Sequence, residues 1–153
     1  MRWNPKHRPF DFQQRETMQT SFQTPQKSLS PVGIIWLRMA VLYLIVGVAL
    51  GIAMGASENF TLRPVHVHVN LLGWATMALA GLVYSVYPHA GINRLAKLHF
   101  WMTNLSLPVM TIALTLLLLG QRAAIPVLAA SEIVAALGIV IFAFNIFLNL
   151  KKN

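Results

Sequence analysis

Four long apolar runs dominate this chain. They cover about residues 33–55, 64–87, 96–119 and 124–149. Each run is long enough to cross a hydrocarbon core of about 30 Å as a helix that rises about 1.5 Å per residue. Only 10% of the residues are charged, whereas a soluble domain has roughly 25%. The sequence therefore predicts an all-α protein, a bundle of four transmembrane helices.

The chain divides into a polar tail and one membrane domain. Residues 1–30 are polar and Gln-rich, with isolated aromatic residues and no sustained period, so we predict an N-terminal tail followed by a transmembrane domain over residues 31–153. Because the tail has no apolar core, we expect no cleavable signal peptide. The chain contains no cysteine, which excludes disulfides, thiolate metal sites, covalent c-type haem attachment and cysteine catalysis.

The basic residues are distributed unevenly about the predicted spans. If the four spans alternate in direction, nine basic residues share one side: Arg2, Lys6, Arg8, Arg15, Lys27, Arg94, Lys97, Lys151 and Lys152. Arg63 and Arg122 fall on the other side. This positive-inside bias predicts that both termini are cytoplasmic. The net charge of +8 is thus a topology signal, and we expect no nucleic-acid partner, since no soluble basic domain exists.

Two histidines stand at the start of the second span. His66 and His68 lie at depths of about 4 to 8 Å inside the predicted outer boundary, where ionisable groups are costly and usually functional. Residues i and i+2 on a helix point about 200° apart. The pair therefore does not chelate one ion easily. It suits a helix that offers one ligand to a site on each side, or one ligand and one supporting group.

Two stretches of the sequence are similar to a known family. "HVHVNLLGWATMALAGLVYSVYP" and "LAKLHFWMTNLSLPVM" resemble the late-helix region of subunit I of the haem–copper oxidases, nearest the C-type cytochrome oxidase and nitric oxide reductase branch. The resemblance covers about residues 35–150. It implies haem b as cofactor, with His66 matching the high-spin haem ligand and His68 the low-spin ligand. It also implies that the pair lies near the outer side of a bacterial inner membrane.

The chain departs from that family in its other histidines. Outside the second span it has only His7, His89 and His99, and nothing resembles the family's copper-binding helices or the helix that carries the second low-spin ligand. A complete oxygen-reducing centre cannot be built from this chain, so whether it is an enzyme stays open. We expect His89 and His99 at the cytoplasmic interface, at the opposite membrane face from His68, and not on haem.

Several other residues are candidates for the same site. Asn70 lies one turn from His66 on the same predicted face, with Trp74 one turn further. Three glycines form a small-residue ridge on the first span: Gly47, Gly51 and Gly55. The ridge indicates either close helix packing or a smooth wall for a flat macrocycle, and the spacing does not choose. Met54 is a candidate axial thioether, although membrane methionine usually serves packing.

Glu132 is the only carboxylate inside a predicted span. It lies about 9 Å into the fourth helix, close to the depth of His68. A carboxyl group at that depth is either neutral or paired. Two roles are compatible with the sequence: a hydrogen bond that orients a histidine ring, or proton exchange with a site on the outer side.

The predicted function is that of a membrane b-type haem protein. Haem on the outer side, held through His66 or His68, would act in electron transfer or in gas or redox sensing. Because one chain offers one imidazole per face, a symmetry mate would supply a second, which predicts a parallel homo-oligomer, most simply a dimer. The expected partners are membrane lipid and a redox protein or quinol.

Two alternative functions use the same residues. The first is a copper-handling or oxidase-assembly protein with His66, His68, Met54 and Glu132 as copper ligands. The second is a small proton-coupled exporter with Glu132 as the proton site. Small exporters often carry little charge bias, so the nine-to-two distribution of basic residues argues against the second alternative.

Overall fold

The computed structural model describes residues 29–150 as a bundle of four long helices. Their bounds are α1 Pro31–Ser57, α2 Arg63–Val86, α3 Arg94–Leu118 and α4 Arg122–Asn149. Each helix is long and apolar enough to span a membrane, and every bound lies within two residues of the predicted one. The prediction of an all-α chain with four helices long and apolar enough to span a membrane is confirmed. Except for its last two residues, the predicted N-terminal tail lies outside the described residues.

The helices begin and end at residues whose side chains suit those positions. Ser30 caps α1 by accepting a hydrogen bond from the Gly33 amide at 3.0 Å, and Asn93 caps α3 in the same way through the Ala96 amide at 2.8 Å. These caps satisfy amide groups that have no partner inside the helix. Between α3 and α4, Gly120 adopts a positive φ of 93°, which favours glycine and permits a very short turn.

The bundle has two distinct ends. The end that carries the loops 58–62 and 119–121 also carries His66 and His68, and is called the histidine end. The opposite end carries Ser30, the last residue of α4 and the connection between α2 and α3, which includes the short helical turn Pro88–Gly91. It is called the tail end, because the N-terminal tail joins the bundle there.

The four helices pack as two hairpins. α1 packs along α2, and α3 packs along α4. The backbones of α2 and α3 approach each other only within residues 63–76 of α2, near the histidine end. Over residues 29–150, α4 makes no backbone contact with α1 or α2. At the tail end the backbones of α2 and α3 are further apart, and the hairpins are joined by large side chains and by the turn Pro88–Gly91, which lies close to both α1 and α4.

Glycine allows α1 and α2 to approach closely. A Cβ atom added to Gly33 would lie 2.7 Å from the carbonyl oxygen of Gly81, and one added to Gly73 would lie 2.6 Å from the Tyr43 ring. Both distances are shorter than any real carbon contact. At Gly33 the two helices are thus in contact through main-chain atoms, and at Gly73 the ring of Tyr43 packs on the backbone of α2. Close packing of this kind stabilises helix pairs in lipid.

The predicted glycine ridge contributes to the same helix pair. Gly47 faces the side-chain amide of Asn70, and Gly51 faces the imidazole of His66, whose Cε1 atom would lie 3.0 Å from an added Cβ. Around Gly55 there is open space. Of the two uses that the sequence left open, packing within the chain is the one that Gly47 and Gly51 serve, and their surface is covered by α2.

We predict that Gly33→Ala destabilises the protein by about 1–3 kcal/mol, because the new Cβ forces the two backbones apart. The measurement is the thermal unfolding midpoint in detergent. Gly55→Ala is the matched control, since its Cβ meets no atom within 4 Å, and its stability should change by no more than about 0.5 kcal/mol. Equal midpoints for the two variants would contradict main-chain contact between α1 and α2.

Candidate functional site

His66 is held against the first helix. Its imidazole is partly buried, and its Nδ1 atom lies 2.9 Å from the carbonyl oxygen of Gly47 on α1. Because a carbonyl oxygen can only accept, Nδ1 carries the hydrogen and donates it. In the neutral ring Nε2 of His66 is then the nitrogen that carries a lone pair, which can bind a metal or accept a hydrogen bond. The close packing of α1 on α2 brings this carbonyl within reach of the ring.

The His68 ring also donates its Nδ1 hydrogen to a main-chain carbonyl oxygen, in this case one of its own helix. Its Nδ1 lies 2.8 Å from the carbonyl oxygen of Pro64, one turn earlier, so Nε2 again keeps its lone pair. Leu71, one turn later on the same side of α2, is 59% exposed. The His68 ring therefore lies along the outer surface of the bundle, and the His66 ring lies in the contact between α1 and α2.

The two rings thus diverge, as the spacing of the pair predicts. One is directed towards α1 and the other lies along the protein surface. Within residues 29–150, no three histidine, cysteine or carboxylate side chains come close enough to hold a metal ion together.

A wide-turned segment follows the histidine pair. Residues Val69–Thr76 form a π-helix inside α2, a feature that is rare and common at functional sites. Asn70 donates to the carbonyl oxygen of His66 at 2.8 Å, and Thr76 donates to that of Leu71, five residues back, at 2.8 Å. These side chains satisfy carbonyl oxygens along the widened segment, which water cannot do in lipid.

The predicted neighbours of His66 make different contacts. Asn70 is on the same face as His66, and its amide nitrogen lies 3.4 Å from the ring Nδ1. Trp74 packs partly buried against the hydrophobic core.

Glu132 and Met54 are not brought together with the two rings by hydrogen bonds. Glu132 is exposed on α4, a helix without backbone contact to α2 in the described region. The ring N–H groups of His66 and His68 are donated to main-chain carbonyl oxygens, so neither is available to a carboxylate. Met54 is 7% exposed near the histidine end of α1, which fits the packing role of a membrane methionine.

His99 departs from its predicted place. The sequence predicted an interfacial side chain, but His99 is 1% exposed inside the bundle. Its ring stacks on Trp36 with centroids 4.5 Å apart and lies 4.9 Å from the ring of Phe142. The hydroxyl of Tyr84 lies 3.0 Å from its Nδ1. Since these four residues come from four different helices, the cluster closes the tail end of the bundle.

Asn145 extends this cluster into a polar network. It is fully buried and donates to the carbonyl oxygen of Ala90 at 2.7 Å and to the Tyr84 hydroxyl at 3.3 Å. Its Oδ1 accepts from Asn93 at 2.5 Å and from Asn149 at 2.9 Å. This residue was not among the predicted candidates. One feature of the sequence could have identified it, because an asparagine in an apolar span is costly unless it is hydrogen-bonded.

A cavity of about 420 Å³ opens beside the cluster, between α1 and α3. Trp36, Phe100 and Trp101 line it, together with Lys97 at its edge. Trp36 also carries a buried indole N–H without a partner among the described residues. The cavity lies at the tail end of the bundle, away from His66 and His68, and is not part of the candidate site.

Comparison with known proteins gives no assignment. No family model matches the chain, and neither a curated protein nor a solved structure is significantly similar to it. The resemblance to subunit I of the haem–copper oxidases therefore stays a prediction from the motifs around His66 and His68. The chemistry of the site has to be argued from its own atoms.

We predict that Asn145→Leu lowers the free energy of unfolding by about 1–3 kcal/mol, because it leaves the buried partners of Asn145 without their hydrogen bonds. Asn104→Leu is the matched control. Asn104 donates only within its own helix, to Phe100 at 2.8 Å, and its Oδ1 has no partner in the described region. Its substitution should therefore leave the free energy of unfolding almost unchanged. Thermal unfolding in detergent measures both, and equal losses would refute a structural role for the network.

Proposed function

We propose that this protein is a membrane b-type haem protein that carries haem at its histidine end, through His66 or His68, and acts in electron transfer or in gas or redox sensing. One observation carries the proposal. Each ring donates its Nδ1 hydrogen to a main-chain carbonyl oxygen, at 2.9 Å and 2.8 Å, and so leaves Nε2 as an acceptor. Metal-bound histidines in proteins are typically oriented in this way.

The number of available ligands favours haem over a bare metal ion. Zinc and copper sites usually take three or four protein ligands, and no group of three histidine, cysteine or carboxylate side chains occurs within residues 29–150. Haem brings four nitrogen ligands of its own and needs only one or two from the protein. Two diverging imidazoles fit that requirement. The same comparison gives no support to the copper-handling alternative.

The two histidines would serve haem differently. The His66 ring packs against α1 at Gly51 and donates to the carbonyl oxygen of Gly47, so its orientation is fixed by these contacts. The His68 ring lies along the outer surface of α2, where a second chain or a small ligand can approach. His68 is therefore the better candidate for a haem at the protein surface. Bound haem would supply one-electron redox chemistry and, with an open axial position, binding of a small gas.

The membrane orientation belongs to the same proposal. Of the twelve basic residues, nine lie on the tail side and two on the histidine side if the helices alternate, which supports cytoplasmic termini and a histidine end on the outer side. Together with the resemblance to a bacterial oxidase subunit, this charge bias supports a place in the bacterial inner membrane. All copies would then insert in parallel, with their histidines at one height.

The position of Glu132 does not support the exporter alternative. A proton site in a transporter lies in the bundle interior or in a water-filled cavity, but Glu132 is exposed on the surface of α4. Its position suits a contact with another helix better than a path through the protein.

We predict that the protein purified from haem-replete cells, or supplied with haem in detergent, shows a Soret band. His68→Ala should weaken haem binding by about tenfold or more, since even loss of a residue that supports a metal ligand costs about 10–100-fold. His66→Ala tests the other ring. His89→Ala, at the tail end, is the control and should retain full haem content in a pyridine haemochrome assay.

Two results would reject the proposal. The first is a protein that binds no haem even when haem is supplied. The second is unchanged haem content and an unchanged spectrum in both His66→Ala and His68→Ala. The spectrum also separates two ligand states: a low-spin haem indicates two axial imidazoles, and a high-spin haem that binds carbon monoxide indicates one.

A further inference from the structure

Glu132 presents an unusual problem for a membrane helix. α4 has 28 residues and is about 42 Å long, so it extends beyond a hydrocarbon core of about 30 Å at both ends. Glu132 comes ten residues after the start of α4, which places it about 9 Å inside that core. Its side chain is exposed there. A carboxyl group that faces hydrocarbon without a partner is costly even when neutral.

Within residues 29–150, the backbone of α4 lies close only to α3 and to short turns. The side chains of α4 that contact Tyr84 of α2 are Phe142 and Asn145, ten or more residues beyond Glu132. The buried strip of α4 includes Leu128, Ser131 and Gly138, and Glu132 is rotated about 100° from Ser131 around the helix. Its side chain thus leaves the bundle sideways rather than towards α3.

The surface around Glu132 is suited to close helix contact. Ala129 and Ala136 lie one turn before and one turn after it on the same face, and both are exposed. Small residues on either side of a polar group let two backbones approach until that group can form an interhelical hydrogen bond. We call the surface formed by Ala129, Glu132 and Ala136 the Glu132 face.

We infer that the Glu132 face is the interface with a second, parallel copy of this chain, in which the two Glu132 carboxyl groups pair across a two-fold axis. A protonated carboxyl group both donates and accepts, so it is complementary to itself. Two such groups related by symmetry satisfy each other, and a two-fold axis along the membrane normal brings identical residues to identical height.

The other deeply placed charge cannot serve as the partner. Arg38 is exposed on α1, but it lies about 10 Å from the tail end of its helix, whereas Glu132 lies about 25 Å from that end. Parallel copies therefore hold the two groups about 15 Å apart in height. This interface is separate from the proposed haem site, since it involves α4 alone. It can therefore be tested independently of haem binding.

The chain contains no cysteine, so single cysteines test the interface directly. Ala129→Cys places a thiol on the Glu132 face, and Ala130→Cys is the matched control, because Ala130 lines a cavity between α3 and α4 on the other side of the helix. Oxidation of native membranes should link Ala129→Cys into a disulfide dimer and leave Ala130→Cys monomeric. Equal cross-linking at both positions would overturn the inference.

A second pair of variants tests the carboxyl group. In the Ala129→Cys background, Glu132→Leu should reduce dimer formation about tenfold, whereas Glu132→Gln, whose amide also donates and accepts, should retain most of it. Because Glu132 is exposed, both variants should keep their thermal unfolding midpoint, which is measured alongside.

Two outcomes of this second test contradict the inference. Unchanged cross-linking in Glu132→Leu would mean that the carboxyl group does not hold the interface. A disulfide between Ala129→Cys and Val67→Cys on co-expressed chains, with none between two Ala129→Cys chains, would mean that α4 meets α2 of the neighbour instead. Haem content is measured in parallel, so that loss of the dimer and loss of haem are recorded separately.

Discussion

The contact between the backbones of α1 and α2 determines the geometry of the candidate site. Gly33, Gly73 and Gly81 remove the side chains that would hold these helices apart. As a result a main-chain oxygen of α1, that of Gly47, comes within 2.9 Å of the His66 ring. In lipid, where no water competes, such an acceptor fixes both the ring orientation and its protonated nitrogen. The proposed ligand chemistry therefore depends on helix packing.

The two ends of the bundle are held together by different means. At the histidine end the backbones of α2 and α3 are close, and polar side chains bond mostly to main-chain oxygen atoms. At the tail end the hairpins are further apart, and the gap is filled by Trp36, Tyr84 and His99 with the Asn145 network. The buried network supports the fold there and leaves the other end available for a cofactor.

The fold was largely predictable from the sequence, but much of the site's surroundings was not. Span lengths follow from hydropathy, because a lipid-facing helix must be apolar over its whole length. The opposed directions of His66 and His68 follow from helical spacing alone. Helix rotation was harder to predict. A helix that is apolar on every side gives no periodic signal of which face is buried, so the burial of His99 and the exposure of Glu132 could not be read from the pattern.

The π-helix of α2 lies between the histidine pair and the tail end of the bundle. Residues Val69–Thr76 hold more residues per turn than the α-helical segments on either side. A π-helical turn holds about one residue more than an α-helical turn, so removing one residue from this segment could restore regular α-helical turns with little net rotation between the segments on either side. The histidine pair would then keep its direction relative to Tyr84 and Ser85. The wide turns thus accommodate one more residue in α2 while the two imidazoles and the buried network at the tail end keep their relative direction.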